Sequence, residues 1–336
     1  MHILLFHDSV LPPATYGGIE RIVVTLAEEY QRLGHEVSVL CRKGSSLPGV
    51  NVIELPEKVD HPFDIEKYIP SNVQFIHSHQ PLPIEPKRPY LVTIHGNGHP
   101  DEKYLANTNF LSRSHARNHN SEIYVFNGVD VNRYQFNEKK ENYFIFLART
   151  TWRVKNLKTA IAWANDIKVP LKIIGGNGIS RGLIEYVGFV DDAIKTKILG
   201  AARALIYPTN WDEPCAGAPL ESLACGTPVI SSPNGCMPEM VSEKTGVICH
   251  SYSDLLKAPK KISELNPADC RRVAEEYFSV KRMTADYLLL MEKIINIGKL
   301  VSPDHLPRYN FKKENIHFLY KPTVINRLRL GVMGKI

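Results

Sequence analysis

The chain opens on a short apolar run, residues 2–7, and Pro12 and Pro13 in the stretch that follows break any strand ladder there. Gly17 and Gly18 lead into a run whose apolar positions, Ile19, Ile22, Val23, Leu26, Tyr30 and Leu33, recur at helical spacing. Gly34 supplies a stop, and Glu36 to Leu40 reads as a second buried strand. A strand, helix, strand unit of this kind favours a parallel sheet, whose ligands sit beyond the carboxyl ends of the strands. The fold class is therefore α/β.

Further strands are expected at Asn51 to Leu55, Val73 to His77, Tyr90 to Ile94, Thr108 to Leu111 and Ile123 to Val125, most of them ending in polar or glycine residues. Their shared edge gathers His7, His77, His79 and His95, either around a ligand or as side chains bonded to nearby backbone. His77 and His79 lie on one strand face, but a zinc site needs a third ligand and an oriented second shell, and the sequence points to neither. Asn127-Gly128 is a turn signal, and the wholly polar stretch Asn137 to Asn142 suits a linker, which gives a first domain over residues 1–140.

The alternation then restarts. Strands are expected at Tyr143 to Leu147, Leu171 to Ile174, Ile184 to Val187 and Ala204 to Tyr207, with helices at Leu157 to Asp166 and Ala193 to Ala202. They build a second domain over residues 141–278. Gly175-Gly176-Asn177-Gly178 lacks the third glycine of Gly-x-Gly-x-x-Gly, which argues against a nicotinamide enzyme. A last helix, Ser279 to about Ile297, carries Val280, Met283, Tyr287, Leu290, Met291 and Ile294 on one stripe and must lie on something apolar.

Residues 213–228 carry the sharpest chemical signal. Glu213 and Glu221 bracket Cys215, Ala216, Gly217 and Ala218, none large enough to crowd a ligand. Pro219 suits the first position of a short helix, and Gly226 and Pro228 end that helix before the buried strand Val229-Ile230-Ser231. Unpaired amides and the helix dipole at such a start favour an anion, with phosphate the obvious guest. Glu221, read in the first turn, either accepts from a vicinal pair of hydroxyls such as a ribose presents or merely complements the dipole.

This stretch resembles the Glu-x7-Glu signature of retaining glycosyltransferase family 4. Pieces similar to that family recur in order over residues 2 to about 296: Gly17-Gly18-Ile19-Glu20, His77-Ser78-His79, Thr93-Ile94-His95-Gly96, Asn127-Gly128-Val129-Asp130, Arg149 with Lys155, and Val187-Gly188-Phe189-Val190. The resemblance implies a GT-B fold: two Rossmann-like domains whose parallel sheets face each other across a cleft, and a helix over 279–298 that crosses back onto the first domain. It implies transfer of a sugar from a UDP- or GDP-sugar to an acceptor hydroxyl, with retained anomeric configuration, in the synthesis of a glycan, lipopolysaccharide or other glycoconjugate.

Site roles follow from the same resemblance. Glu221 would hold ribose hydroxyls, the amides of Cys215 to Ala218 and of Gly17 and Gly18 the phosphates, and Glu213 the hydroxyls of the donor sugar. Arg149 and Lys155 would neutralise the departing diphosphate, His95 would lie near the transferred sugar, and Phe189 and Val190 would line the base pocket. Asn156 stands where the family often has glycine after the lysine. No Asp-x-Asp pair offers a metal site, and Asp191-Asp192 begins a helix, so no metal or other cofactor is expected. A sugar-nucleotide epimerase or phosphorylase on the same fold, or a catalytically silent sensor or scaffold subunit, are the alternatives.

Composition narrows the partners. Of the 41 Lys and Arg and 35 Asp and Glu, residues 299–336 hold eight and two, so the folded part is neutral and the net charge of +6 belongs to the tail. A nucleic-acid binder would need basic residues across a folded face. The tail mixes its charges with Phe311, Phe318 and Tyr320, which suits either packing on the first domain or contact with an anionic membrane bearing a lipid-linked acceptor. No run approaches the ~20 apolar residues of a membrane span. The six cysteines form no metal spacing and read as reduced thiols, so a cytoplasmic protein, peripheral at most to the inner membrane face, is expected.

Overall fold

A computed structural model describes residues 1–14, 17–98 and 102–300. The first half runs β1 (His2–Phe6), α1 (Ile19–Arg32), β2 (Glu36–Cys41), β3 (Asn51–Glu54), β4 (Phe75–Ser78), β5 (Tyr90–Thr93), β6 (Thr108–Asn109) and the short α2 (Arg113–Asn118). The second half runs β7 (Phe144–Leu147), α3 (Leu157–Asp166), β8 (Leu171–Ile174), β9 (Ile184–Gly188), α4 (Asp192–Ala201), β10 (Leu205–Tyr207), α5 (Gly217–Ala224), β11 (Val229–Ser231), α6 (Met237–Met240) and β12 (Gly246–Ile248). Three helices close the described chain: α7 (Tyr252–Ile262), α8 (Pro267–Tyr277) and α9 (Val280–Ile297).

The strands form two six-stranded sheets, ordered β3-β2-β1-β4-β5-β6 and β12-β11-β10-β7-β8-β9, and every pairing between neighbouring strands is parallel. Within each sheet the strand order reverses once, between β1 and β4 and between β7 and β10. Ligands of open parallel sheets sit in the crevice that such a reversal leaves beyond the carboxyl ends. In the first sheet that crevice is flanked by His7 and His79, and in the second by Arg149 and Glu213. The two edges face each other: Asn97, beyond β5, donates from Nδ2 to Asp212 O at 2.6 Å, and Asn118 Nδ2 reaches Asp212 Oδ2 at 2.8 Å.

The amphipathic stripe of α1 buries Ile22, Val23, Leu26, Ala27 and Tyr30 against β1 and β2 residues Ile3, Leu5, Val37 and Val39. The same cluster takes in Val280, Met283, Tyr287, Met291 and Ile294, so α9 crosses back and completes the first domain's core, as its stripe required. Beyond it, Leu300 is buried and its N–H donates to Asn107 Oδ1 at 2.8 Å. The remainder of the basic tail, residues 301–336, lies outside the described residues.

Two narrow passages join the halves. Val129 N donates to Phe278 O and Val280 N to Val129 O, each at 2.9 Å, so the outgoing and returning chains bridge to each other. Gly128 is packed so closely there that a β-carbon would lie 2.5 Å from Ser279 O. The polar stretch Asn137 to Asn142 sits already against the second half: Asn137 N donates to Cys225 O at 3.3 Å and Lys140 Nζ to Gly200 O at 2.7 Å.

Some local expectations are corrected. Residues 123–125 are not a strand, and Tyr124 makes only an isolated bridge to Phe110. Helix α5 begins at Gly217 rather than Pro219, which puts Glu221 beyond the first turn. Among the described residues no helix is long and apolar enough to cross a membrane.

Candidate functional site

At the carboxyl edge of the second sheet, two loops meet. After β7, Trp152 N donates to Arg149 O and Lys155 N to Trp152 O, both at 3.0 Å, so the loop is wound into tight turns that end at Asn156 in the left-handed conformation. Gly175, the first of the glycines after β8, makes room for this loop: its φ is +107°, and a β-carbon would lie 2.3 Å from Ala148 O. After β10, Asn210 N donates to Val154 O at 2.7 Å and laces the second loop to the first.

Lys155 and Glu213 form the centre. Lys155 Nζ lies 2.5 Å from Glu213 Oε1 and 2.8 Å from the Tyr207 hydroxyl. The same carboxylate oxygen accepts from Tyr207 OH at 3.1 Å and from Thr209 Oγ1 at 2.9 Å. Glu213 is only 4% exposed, so its charge is compensated by three internal donors. Oε1 is thereby filled. Of the ammonium's three N–H groups, two are engaged here. Around the ammonium stand the rings of Tyr207, Trp152 and Trp211, at 5.3, 5.9 and 5.9 Å from their centroids.

Helix α5 starts at the site's floor. Ala216 precedes it without a side-chain cap, so its first amides look for partners beyond the helix. Cys215 is neutral at physiological pH, because burial pushes its thiol up to about 12. Glu221 is paired with Lys195 at 2.9 Å, and Lys195 in turn with Asp192 at 2.9 Å. Asp192 also receives Arg21 of α1, at 2.5 Å, across the cleft. Burial acts against the charge on Lys195, yet the carboxylates of Glu221 and Asp192 prevail and hold its pKa above the ordinary value. Asp191 caps α4 by accepting from Ile194 N. Phe189 is 63% exposed, contrary to the usual burial of an aromatic at a strand end, while Val190 is partly buried beside it. Gly18 is exposed at the start of α1, and Gly17 is buried against Pro13.

The first sheet contributes histidines. Thr93 donates its hydroxyl hydrogen to Asn109 Oδ1 at 2.7 Å, so it accepts from His77 Nε2 at 2.9 Å, and His77 Nδ1 faces the Tyr30 hydroxyl at 3.4 Å. Side-chain partners, not backbone, hold this histidine. His79 Nδ1 pairs with His95 Nε2 at 2.9 Å, leaving the Nε2 of His79 buried without a partner. His115 is fixed in one tautomer: Leu111 N donates to its Nδ1, and its Nε2 donates to Gly96 O beside His95. Burial, reinforced by neighbouring imidazoles, pushes His95 down to about 3, and burial alone does the same to His77. Both are neutral throughout the physiological range. Among the described residues no three His, Cys, Asp or Glu side chains form a metal-holding group.

Sequence reasoning singled out Arg149, Lys155, Glu213 and Glu221 but not Tyr207 and Thr209, which bond to Lys155 or Glu213, nor Lys195, which pairs with Glu221, nor Asp192 and Arg21, which continue that chain of charges. It also passed over Trp152 and Trp211. Two indoles in loops that follow strands, each within three residues of a proposed site residue, were the available signal.

Comparison with known proteins agrees with this fold. The family model described as Glycosyltransferase Family 4 matches residues 16–132, and that described as Glycosyl transferases group 1 matches residues 130–276. Spore coat protein SA of Bacillus subtilis (strain 168) is 28% identical over 121 residues, covering 33% of this chain and 32% of its own length. The O-antigen chain mannosyltransferase B of Escherichia coli is 33% identical over 82 residues, or 24% and 20% of the two chains. The matched segments therefore span a third or less of these curated relatives. The fold is similar to that of AviGT4, a glycosyltransferase involved in avilamycin A biosynthesis, with a TM-score of 0.72 at 21% identity over 88% of this chain and 98% of that one. Anabaena HepE in complex with UDP and glucose gives 0.66 at 13% identity over 87% and 100%. With two parallel sheets facing across a cleft, a returning last helix and family models that run continuously over residues 16–276, the chain belongs to the family 4 type glycosyltransferases of the GT-B fold.

Proposed function

We propose that the protein transfers a sugar from a UDP- or GDP-sugar to an acceptor hydroxyl, with retention at the anomeric carbon and without a metal, in the synthesis of a glycan, lipopolysaccharide or other glycoconjugate. The observation that carries the reading is the Lys155–Glu213 pair, with Arg149 sharing the Trp152 ring beside it, at the strand-order reversal of the second sheet, opposite the His79–His95 pair of the first. A diphosphate departing there meets two cations, and preorganised donors aimed at developing charge are typically worth about 2.7–4 kcal/mol of barrier each.

In this reading the bond from the anomeric carbon to the diphosphate oxygen breaks, the acceptor oxygen takes its place on the same face, and the acceptor's proton leaves with the diphosphate. Glu221 holds ribose hydroxyls, exchanging part of its pairing with Lys195 for them. Amides of Cys215, Ala216, Gly217 and Ala218, with those of Gly17 and Gly18, receive phosphate oxygens. Glu213 Oε2 takes a hydroxyl of the donor sugar, His95 stands by that sugar, and Phe189, exposed with Val190 beside it, stacks on the base. The acceptor is a glycan or lipid-linked sugar reached from the first domain. The basic stretch 299–336 gives a charge of +6 for contact with an anionic membrane face.

The test pairs binding with product analysis. In a thermal-shift panel of UDP, GDP and ADP, one nucleotide should stand out, since a ligand at 100 times its Kd adds about 2.7 kcal/mol. Turnover of the matching sugar donor should then survive a strong chelator, and proton NMR should show the donor's anomeric configuration in the product. An inverted product refutes retention. Loss of turnover with chelator, restored by manganese, refutes metal independence. Tight nucleotide binding with no turnover on any acceptor or on water points to a silent sensor instead.

A further inference from the structure

The loop that carries Arg149 and Lys155 holds a tryptophan between them whose position burial does not explain: Trp152 is 41% exposed. Its ring lies 5.5 Å from Arg149 Cζ and 5.9 Å from Lys155 Nζ. Trp211, from the loop that ends in Glu213, runs nearly parallel to it, with centroids 6.3 Å apart and planes at 17°. Lys155 Nζ lies the same 5.9 Å from this second indole.

The backbone explains how one side chain meets both cations. The turns closed by Trp152 N to Arg149 O and Lys155 N to Trp152 O space the three residues three apart. In a tight turn of this kind the first and fourth residues lie within about 7 Å of each other at their α-carbons. An indole face carries negative electrostatic potential and attracts cations within about 6 Å, most strongly for tryptophan among the aromatics. Lys155 is already held by Glu213 and the Tyr207 hydroxyl, and an aromatic plate shared with Arg149 fixes the two cations relative to each other before a diphosphate arrives.

We propose that Trp152, braced by Trp211, is a positioning residue that orients Arg149 and Lys155 together for the diphosphate of the donor. This rests on the reading of the site given above. It assigns to Trp152 no contact with the sugar or base, so its effect is confined to ligands that carry the second phosphate.

Calorimetry with UDP, UMP, GDP and GMP on the wild-type protein, Trp152→Ala and Trp152→Phe separates the possibilities. For the nucleotide that binds, Trp152→Ala should weaken the diphosphate about tenfold while changing the monophosphate less than about twofold. Trp152→Phe, which keeps a ring, should recover most of the loss. With the sugar donor, Trp152→Ala should lower kcat by a larger factor than it raises KM. Equal losses for mono- and diphosphate, no loss for either, or failure of Trp152→Phe to recover binding overturns the proposal while the reading of the site stands. A wild-type protein that binds none of the four nucleotides overturns both.

Discussion

At the scale of single residues, the Lys155–Glu213 pair, proposed above for catalysis, also bears on stability. Both side chains are largely buried, at 12% and 5% exposure. Removing one partner of such a pair leaves an uncompensated charge and typically costs about 3–5 kcal/mol. Lys155→Ala is therefore expected to lower the urea midpoint strongly as well as abolish turnover, whereas Lys155→Met with Glu213→Gln should regain stability and not activity. A Lys155→Ala midpoint equal to wild type would show that the pair is not closed in solution. The sequence made these residues visible because each stands just beyond a strand in a recognisable pattern. It hid what Glu213 does at rest, since Tyr207 and Thr209 become its donors through the path of the loop after β10, and Lys155 reaches it only because β10 lies beside β7, a matter of strand order rather than spacing.

At the scale of elements, the histidines at the edge of the first sheet make the fold sensitive to acid. His77 and His95 are lowered to about 3 and His115 to about 4, in each case chiefly by burial, and His79 lies well below its ordinary value for the same reason. Tyr30 of α1 and Tyr287 of α9 pack against them and supply no compensating charge. A free histidine titrates near about 6.5. Above that pH neither state is protonated and these groups leave stability unchanged. As pH falls from about 6.5 towards 3, the unfolded chain takes up protons that the folded one refuses, so stability drops. Urea unfolding at pH 7, 6, 5 and 4 should show this slope, and His115→Gln should make it shallower. An unchanged slope in that variant would place the sensitivity elsewhere. Helices α7 and α8 were not legible in advance for local reasons: Pro259 interrupts the pattern of α7, and α8 buries only Cys270 and Ala274. By contrast α1 and α9, with long unbroken stripes, were plain.

For the whole molecule, the joint between the halves is a bridge two residues wide, and Gly128 fits it only because it lacks a side chain. Gly128→Ala sets a β-carbon 2.5 Å from the carbonyl of Ser279, and relieving such a clash typically costs about 1–3 kcal/mol. A lower melting temperature together with faster proteolysis near residues 127–130 is expected, and a variant as stable as wild type would mean that the joint yields freely. The two-sheet plan could be read from the alternation of strands and helices, but this joint could not, because its closeness arises between residues some 150 positions apart. The return of α9 has a consequence for how the protein is made. During synthesis the first sheet leaves the ribosome with one flank of its core uncovered, and Met283, Tyr287, Met291 and Ile294, which cover it, are among the last described residues to appear. The second half, contiguous from β7 to α8, has all its own strands before then. The domain translated first is thus the domain completed last, and a ribosome that stalls before residue 280 releases a chain with an open apolar groove for chaperones to shield.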